Sequence, residues 1–190
     1  MNFDKLKKQT NKFIAETYGR FDTAIEKGKG AECVDFDGKK YIDFTSGIGV
    51  NSLGFCDTDW ARAVARQAKK LNHASNLYYT QPMADAAKLL CKKTGYENLF
   101  FANSGAEANE GAIKTARKYS QEKYGEYKTE IITLVNSFHG RTVTTLAATG
   151  QEVFHEKFLP LTEGFVYAKA NDFEDVQDKV SRNTAAIMVE

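Results

Sequence analysis

The sequence predicts an α/β fold with a mostly parallel sheet, preceded by a smaller N-terminal segment. From residue 98 onward, apolar strands alternate with helical patterns, which is the order of elements that produces parallel sheets. The stretch from Glu130 to Val135 is an almost unbroken apolar run, as expected of a strand buried on both faces of a sheet. The residues before this alternation carry a hairpin and a glycine-rich turn instead, so we expect them to form a separate part.

The first elements of the chain follow from spacing and turn residues. Apolar side chains recur at helical intervals from Phe3 to Thr17, which predicts an amphipathic N-terminal helix. Two alternating stretches over residues 33–44 surround Asp37-Gly38, a dipeptide typical of tight hairpin turns. We therefore expect one antiparallel hairpin after the first helix.

Helical periodicity and terminal signals predict the next two helices. One runs over about residues 58–71, with Asp57 or Thr58 as its N-cap. Another begins near Pro82 and stops at Gly95. The elements expected after these are strand 98–102, helix 104–120, strand 130–136, strand 165–168, helix 172–180 and strand 185–190.

The segment Asn103–Asn109 carries a candidate phosphate site. Ser104 and Glu107 have the spacing of a capping box, which would start a helix at this point. The amides of Gly105 and Ala106 then fall in the first turn, where the helix offers them no acceptor. Free amides at the positive end of a helix attract phosphate groups. The alternative is a capping box with a purely structural role.

A second segment, residues 136–142, follows the buried strand at its C-terminal end. Ligands of open α/β sheets bind at that edge. The ring of Phe138 can stack on a flat cofactor, and Arg141 can hold a carboxylate through two parallel hydrogen bonds. The alternative is that Phe138 packs in the core and that Arg141 is a surface charge. His139, next to Phe138, can act either as an acid or base or as a packing or hydrogen-bonding group.

Together the two segments resemble the class III aminotransferases, pyridoxal phosphate (PLP) enzymes that move ω-amino groups. Ser-Gly-Ala-Glu-Ala-Asn is followed about thirty residues later by Ser-Phe-His-Gly-Arg-Thr. Further stretches are similar to the acetylornithine aminotransferase branch of that family: Tyr18-Gly19-Arg20, Gly28-Lys29-Gly30, residues 47–54, residues 73–79 and Ala147-Ala148-Thr149-Gly150. One departure is Cys56-Asp57-Thr58, where relatives usually have Cys-His-Pro.

The resemblance implies a fold-type I PLP-dependent aminotransferase. Residues 1–75 would be a small N-terminal segment, and residues 76–190 the first part of the large PLP-binding α/β domain. In the same way, it implies a set of cofactor-binding residues: Ser104, Gly105, Ala106, Phe138 and Glu190.

The resemblance also implies a reaction and its partners. Arg141 would hold the α-carboxylate of N-acetylornithine, while Tyr18, Val50 and Asn51 would line the substrate entrance, partly from a neighbouring subunit. The expected activity is transamination between N-acetylornithine and 2-oxoglutarate, in arginine biosynthesis, by a cytoplasmic homodimer. Another ω-amine, such as ornithine, succinylornithine or 4-aminobutyrate, remains an open alternative.

The chain stops on a predicted buried strand, residues 185–190, which suggests a truncated chain. Relatives run to about twice this length, and the resemblance implies that the Schiff-base lysine lies in their second half. The lysines present fall on polar helix faces or near turns, so none is assigned a catalytic role. We expect this chain to be inactive alone. If it is complete, a non-catalytic domain that binds a phosphorylated ligand becomes the alternative.

Composition is compatible with an enzyme of small molecules. The net charge is +1 and gives no reason to expect nucleic acid or a membrane as a partner. There is no apolar run long enough to span a bilayer. The three cysteines (Cys33, Cys56 and Cys91) are odd in number and lack metal-ligand spacing, so we expect reduced thiols, a cytoplasmic location and no metal site.

Overall fold

The computed structural model describes residues 2–190 and divides the chain into two compact units, the first ending at Thr80 and the second spanning Gln81–Glu190. The boundary expected from the resemblance, between residues 75 and 76, lies shortly before this division. No helix within residues 2–190 combines the length and the apolar character needed to cross a membrane.

A three-stranded antiparallel sheet is the centre of the first unit. Its strands, in the spatial order β1-β2-β3, are β1 (Ile25–Lys29), β2 (Glu32–Asp35) and β3 (Lys40–Ile42). The predicted hairpin is confirmed as β2 and β3, in which Cys33 pairs with Tyr41. Strand β1 was not predicted; it pairs with β2, with Gly28 opposite Cys33.

Three helical segments complete the first unit. They are α1 (Phe3–Phe13), the short α2 (Ser46–Gly49) and α3 (Thr58–Lys70). Of the two N-cap candidates for α3, Asp57 takes the role: its carboxylate accepts the Trp60 amide at 2.8 Å. The predicted N-terminal helix is confirmed but ends at Phe13, four residues before the predicted end at Thr17.

The second unit is the α/β part, and its three-stranded sheet is parallel throughout. Strand β4 (Glu130–Leu134) lies between β5 (Phe165–Ala168) and β6 (Thr184–Ile187). The helices are α4 (Gln81–Thr94), α5 (Gly105–Tyr124), α6 (Val143–Ala148) and α7 (Phe173–Lys179). The predicted fold class, a parallel α/β layer, is thus confirmed.

One expectation for the second unit is wrong, and one of its helices was not expected. Residues 98–102 form no strand, because no strand of the described residues pairs with them and a strand needs a partner for its backbone groups. Helix α6 was not predicted. It is short and rich in β-branched residues, which are poor helix formers, yet its four residues from Thr145 to Ala148 are buried, so packing determines it.

The core of the second unit lies where helix α5 packs on the sheet. Ile113 of α5, Ile131 of β4 and Ala148 of α6 form a buried cluster. Phe165 and Ala186, from the strands on either side of β4, pack against it. This packing fixes the first turns of α5 beside the carboxyl end of β4, where both candidate motifs lie.

Candidate active site

Helix α5 begins as its sequence predicts. Ser104 is the N-cap, and its hydroxyl accepts the Glu107 amide at 3.2 Å. The reciprocal half of the capping box differs from the prediction. The Glu107 carboxylate accepts the Asn103 amide at 2.6 Å, one residue before the N-cap, rather than the amide of Ser104. The backbone at the start of the helix is therefore fixed, and the amide of the N-cap residue Ser104 can still donate to a ligand.

Three consecutive amides at this helix start, those of Ser104, Gly105 and Ala106, donate to no acceptor within residues 2–190. The first turn of a helix has no internal acceptor for them, and the helix dipole makes this end positive. Space is available as well: a Cβ built on Gly105 would have no neighbour within 4 Å. The turn can accept an oxyanion such as a phosphate group.

The second motif turns away from the sheet directly after β4. The amide and the hydroxyl of Ser137 both donate to the Leu134 carbonyl, at 3.1 and 2.6 Å, and close a tight turn. Asn136 in this turn has a positive φ of 67°, a conformation that asparagine tolerates better than most residues. The turn sends Phe138 and the residues after it out beyond the strand end.

Phe138 and Arg141 lie side by side in this loop. The Phe138 ring is 38% exposed and meets the edge of the Phe154 ring, with centroids 5.9 Å apart. The guanidinium carbon of Arg141 lies 5.7 Å from the Phe138 centroid, in cation–π range. Arg141 also lines a cavity of about 300 Å³ with apolar residues of α6 and of the segment 154–161. The loop therefore presents a flat apolar surface next to a cation.

Glu190, at the far end of the sequence, joins this loop. Its carboxylate accepts the Phe138 amide at 2.6 Å, although the two residues are 52 positions apart in sequence. Strands β4 and β6 are parallel neighbours, so the residues that follow them emerge at the same edge of the sheet. The structure thus brings together Phe138, Arg141 and Glu190.

His139 is a buried part of the loop rather than a group open to a ligand. Its side chain is only 4% exposed, and its amide donates to the Thr149 hydroxyl at 2.9 Å. Burial lowers the pKa of the imidazole below its ordinary value, while the nearby Glu190 carboxylate opposes that shift. The burial of His139 agrees with the packing role expected for it.

Three contacts join the loop to the start of α5. The His139 carbonyl accepts the Asn109 side-chain amide at 2.8 Å, and the Thr142 hydroxyl donates to the Glu110 carboxylate at 2.5 Å. Gly140 packs so closely that a Cβ placed on it would lie 2.8 Å from the Cβ of Ala106. Sequence reasoning missed Asn109 and Glu110. Their spacing of three and four residues from Ala106, which puts all three on one helix face, was the available signal.

Tyr18, Val50 and Asn51 belong to the first unit. Tyr18 is exposed and lines a groove of about 1230 Å³ beside α1. Val50 is also exposed, at the end of the short helix α2, and the Asn51 amide donates to the Ser46 carbonyl at 2.7 Å. Tyr18 and Val50 therefore sit on surfaces that a ligand can reach, whereas Asn51 is half-buried.

A family model described as aminotransferase class-III matches residues 13–190. The chain belongs to the class-III aminotransferases. A curated member similar to it, the acetylornithine aminotransferase of Haemophilus ducreyi, is 56% identical over 189 residues, which are 100% of this chain and 48% of that protein. The chain spans about half the length of the curated relatives it matches.

Solved structures of the same family share the fold. The ornithine aminotransferase of Toxoplasma gondii superposes with a TM-score of 0.94 at 27% identity, over 100% of this chain and 45% of that one. A second crystal structure of that enzyme, obtained with oxidised glutathione, has PLP at partial occupancy in its active site. It superposes with a TM-score of 0.91 at 27% identity, over 98% of this chain and 44% of that chain.

Lys123 does not resemble the reactive lysine of an aminotransferase. Such a lysine must be unprotonated, which requires a lowered pKa. The Lys123 ammonium shows the opposite behaviour: a hydrogen bond of 2.7 Å to the Tyr119 hydroxyl raises its pKa, and the neighbouring Tyr124 acts in the same direction. That no lysine of this chain is catalytic stays a prediction.

Proposed function

We propose that this class-III aminotransferase chain belongs to a PLP-dependent enzyme that transfers the amino group between N-acetylornithine and 2-oxoglutarate. The observation that carries the proposal is the 56% identity to an acetylornithine aminotransferase over the full length of this chain. A cytoplasmic homodimer acting in arginine biosynthesis is part of the same proposal.

The second unit supplies groups suited to hold PLP. Its phosphate would accept hydrogen bonds from the free amides of Gly105 and Ala106, with the Ser104 hydroxyl close by. The half-exposed Phe138 ring would stack on the pyridine ring. Glu190 would hold Phe138 in place through the 2.6 Å bond to its amide. Bound PLP supplies an electron-accepting ring, and the protein supplies binding, orientation and electrostatics.

Arg141 would determine how the substrate lies. Its guanidinium can hold the α-carboxylate of N-acetylornithine through two charge-assisted hydrogen bonds, leaving the distal amino group free to point toward the cofactor. Tyr18, Val50 and Asn51 would line the substrate entrance. The lysine that moves the proton would be supplied from outside these 190 residues.

Ornithine is the second candidate substrate, favoured by the TM-score of 0.94 to an ornithine aminotransferase. Both molecules carry the same α-carboxylate and differ at the α-nitrogen, which is a charged amine in ornithine and a neutral amide in N-acetylornithine. Arg141 would recognise the α-carboxylate and therefore would not discriminate between ornithine and N-acetylornithine. A direct comparison of the two substrates decides between them.

The test uses protein made from the complete gene, loaded with PLP. Glutamate formation from 2-oxoglutarate is measured with N-acetylornithine and with ornithine at equal concentrations. We expect N-acetylornithine to have the higher kcat/KM, and Arg141→Ala to reduce it at least tenfold. The exposed Arg182 allows a matched control, Arg182→Ala, which should leave kcat/KM unchanged. Turnover of ornithine alone would refute the proposed substrate.

The 190-residue chain offers an independent check of the lysine assignment. When incubated with PLP and reduced with borohydride, it should form no covalent adduct detectable by mass spectrometry. A stoichiometric adduct on one lysine would show that the chain contains the reactive amine.

A further inference from the structure

The Thr142 hydroxyl connects the carboxylate of Glu110 to the start of α6. Thr142 is the N-cap of that helix and immediately follows Arg141. Its oxygen lies 2.5 Å from a Glu110 carboxylate oxygen and 2.6 Å from the Thr145 hydroxyl. A capping box closes the group, because Thr142 caps the Thr145 amide and the Thr145 hydroxyl accepts the Thr142 amide at 3.1 Å.

The direction of these bonds follows from counting protons. An ionised carboxylate can only accept, so the single hydroxyl proton of Thr142 is donated to Glu110. In the 2.6 Å contact, the Thr145 hydroxyl must therefore be the donor and Thr142 the acceptor. Without the carboxylate, the Thr142 proton turns to Thr145 and the order reverses. Glu110 thus determines one arrangement of the cap that ends the Arg141 loop.

Two more contacts hold the same loop to the same helix face. Asn109 binds the His139 carbonyl at 2.8 Å, and Gly140 packs against Ala106. Arg141 lies between the contact at Gly140 and the contact at Thr142. Its backbone is therefore held on both sides by α5, the helix whose first turn carries the free amides.

We propose that Glu110 is a positioning residue, which orients Arg141 for carboxylate binding by holding the Thr142 hydroxyl. This inference rests on the proposed function, in which Arg141 binds the substrate carboxylate. Glu110 itself touches no substrate in the proposal, and its effect reaches the substrate only through the loop. Removing the Glu110 carboxylate should therefore lower kcat/KM only for substrates that have a carboxylate for Arg141 to bind.

The first test compares two substrates of PLP-loaded protein made from the complete gene. They are N-acetylornithine and N-acetyl-1,4-diaminobutane, which has the same chain without the carboxylate. Glu110→Ala should lower kcat/KM for N-acetylornithine roughly tenfold, mainly through KM, since a hydrogen bond to a charged group is lost while the loop keeps its other contacts. The value for the diaminobutane should stay within about twofold of wild type.

Two variants separate positioning from general damage. Glu110→Gln keeps an acceptor oxygen for Thr142 and should recover most of the loss. Glu122→Ala removes a carboxylate from the exposed side of the same helix, where it pairs with Lys118 at 3.7 Å. This variant should leave kcat/KM unchanged for both substrates. An equal loss on both substrates in Glu110→Ala, or no loss on either, would overturn the proposal.

A second measurement does not depend on turnover. Hydrogen exchange at the Thr142 and Thr145 amides, which the capping box protects, should become roughly tenfold faster in Glu110→Ala and stay unchanged in Glu110→Gln and Glu122→Ala. If wild type fails to turn over N-acetylornithine, the proposed function fails, and this measurement still decides whether Glu110 holds the loop. Unchanged exchange in Glu110→Ala would overturn the positioning role.

Discussion

Gly140 provides a strong test of how the loop is held against α5. The substitution Gly140→Ala adds a Cβ that would lie 2.5 Å from the Thr145 hydroxyl oxygen and 2.8 Å from the Ala106 Cβ. Ordinary contacts between such atoms are 3.4–4 Å, so either the loop or the helix must move. The backbone adds to the problem, since Gly140 has a φ of +133°, which side-chain-bearing residues rarely adopt.

The two effects add up to a substantial destabilisation. Overpacking costs about 1–3 kcal/mol, and a disfavoured backbone conformation costs about 1–3 kcal/mol. We therefore expect Gly140→Ala to lower the free energy of unfolding by about 2–6 kcal/mol, which is a large part of the roughly 5–15 kcal/mol of a typical domain. Any movement of Ala106 should also weaken PLP binding, because its amide is one of those proposed to hold the phosphate.

The assay is urea unfolding of the 190-residue chain, followed by far-UV circular dichroism. Gly105→Ala is the matched control, because Gly105 has open space around its Cβ position and no positive φ. That variant should keep the wild-type free energy of unfolding or raise it slightly, by up to about 1 kcal/mol, since alanine favours the helix. Equal midpoints for wild type and Gly140→Ala would refute the close packing of the loop on α5.

Three further predictions concern other parts of the molecule. Thr133→Val should raise the free energy of unfolding by about 1–2 kcal/mol in urea titrations, because the buried Thr133 hydroxyl has no hydrogen-bond partner within residues 2–190. The contrasting variant is Thr149→Val, which removes a hydroxyl with three hydrogen bonds and should lower the free energy of unfolding. Arg141→Lys should lower kcat/KM for N-acetylornithine by about 10–100-fold although the charge is kept, because lysine cannot form the paired hydrogen bonds. A loss below twofold in steady-state kinetics would contradict this prediction. The Tyr41 hydroxyl, at 2.7 Å, holds the pKa of Asp35 below its ordinary value, with help from backbone amides. A lowered pKa in the folded state stabilises the fold above the ordinary carboxylate pKa, so stability should fall as the pH drops below about 4, and Tyr41→Phe should make that fall shallower in acid titrations followed by circular dichroism.

Local sequence signals succeeded where local interactions determine the structure. Ser104 and Asp57 cap their helices through side-chain bonds to amides three residues on, and Gly38 sits in the hairpin turn with a positive φ of 84°. Such contacts depend on neighbours in sequence, so residue type and spacing are enough to predict them. The apolar run of β4 is equally informative, because burial on both faces requires it.

The elements and contacts that the sequence did not predict are those that depend on partners distant in sequence. Phe100 and its neighbours have the composition of a strand, but composition does not supply a partner for the backbone. Strand β1, by contrast, reads Ile-Glu-Lys-Gly-Lys and has little apolar pattern, yet pairing with β2 makes it a strand. The contacts of Asn109 and Glu110 reach across about thirty residues, and no local pattern indicates which loop they would meet.

The candidate site is built largely from backbone groups, and this changes which residues should matter most. The proposed phosphate contacts are amides, the Phe138 ring is fixed through its amide, and the His139 carbonyl carries one of the links to α5. Side chains that hold backbone groups, such as those of Glu190, Asn109 and Glu110, therefore help to determine the geometry of the proposed site. A motif search ranks the residues that face the ligand first. The residues that hold the loop backbone should matter as much, because a loop that shifts by an ångström moves Phe138 and Arg141 together.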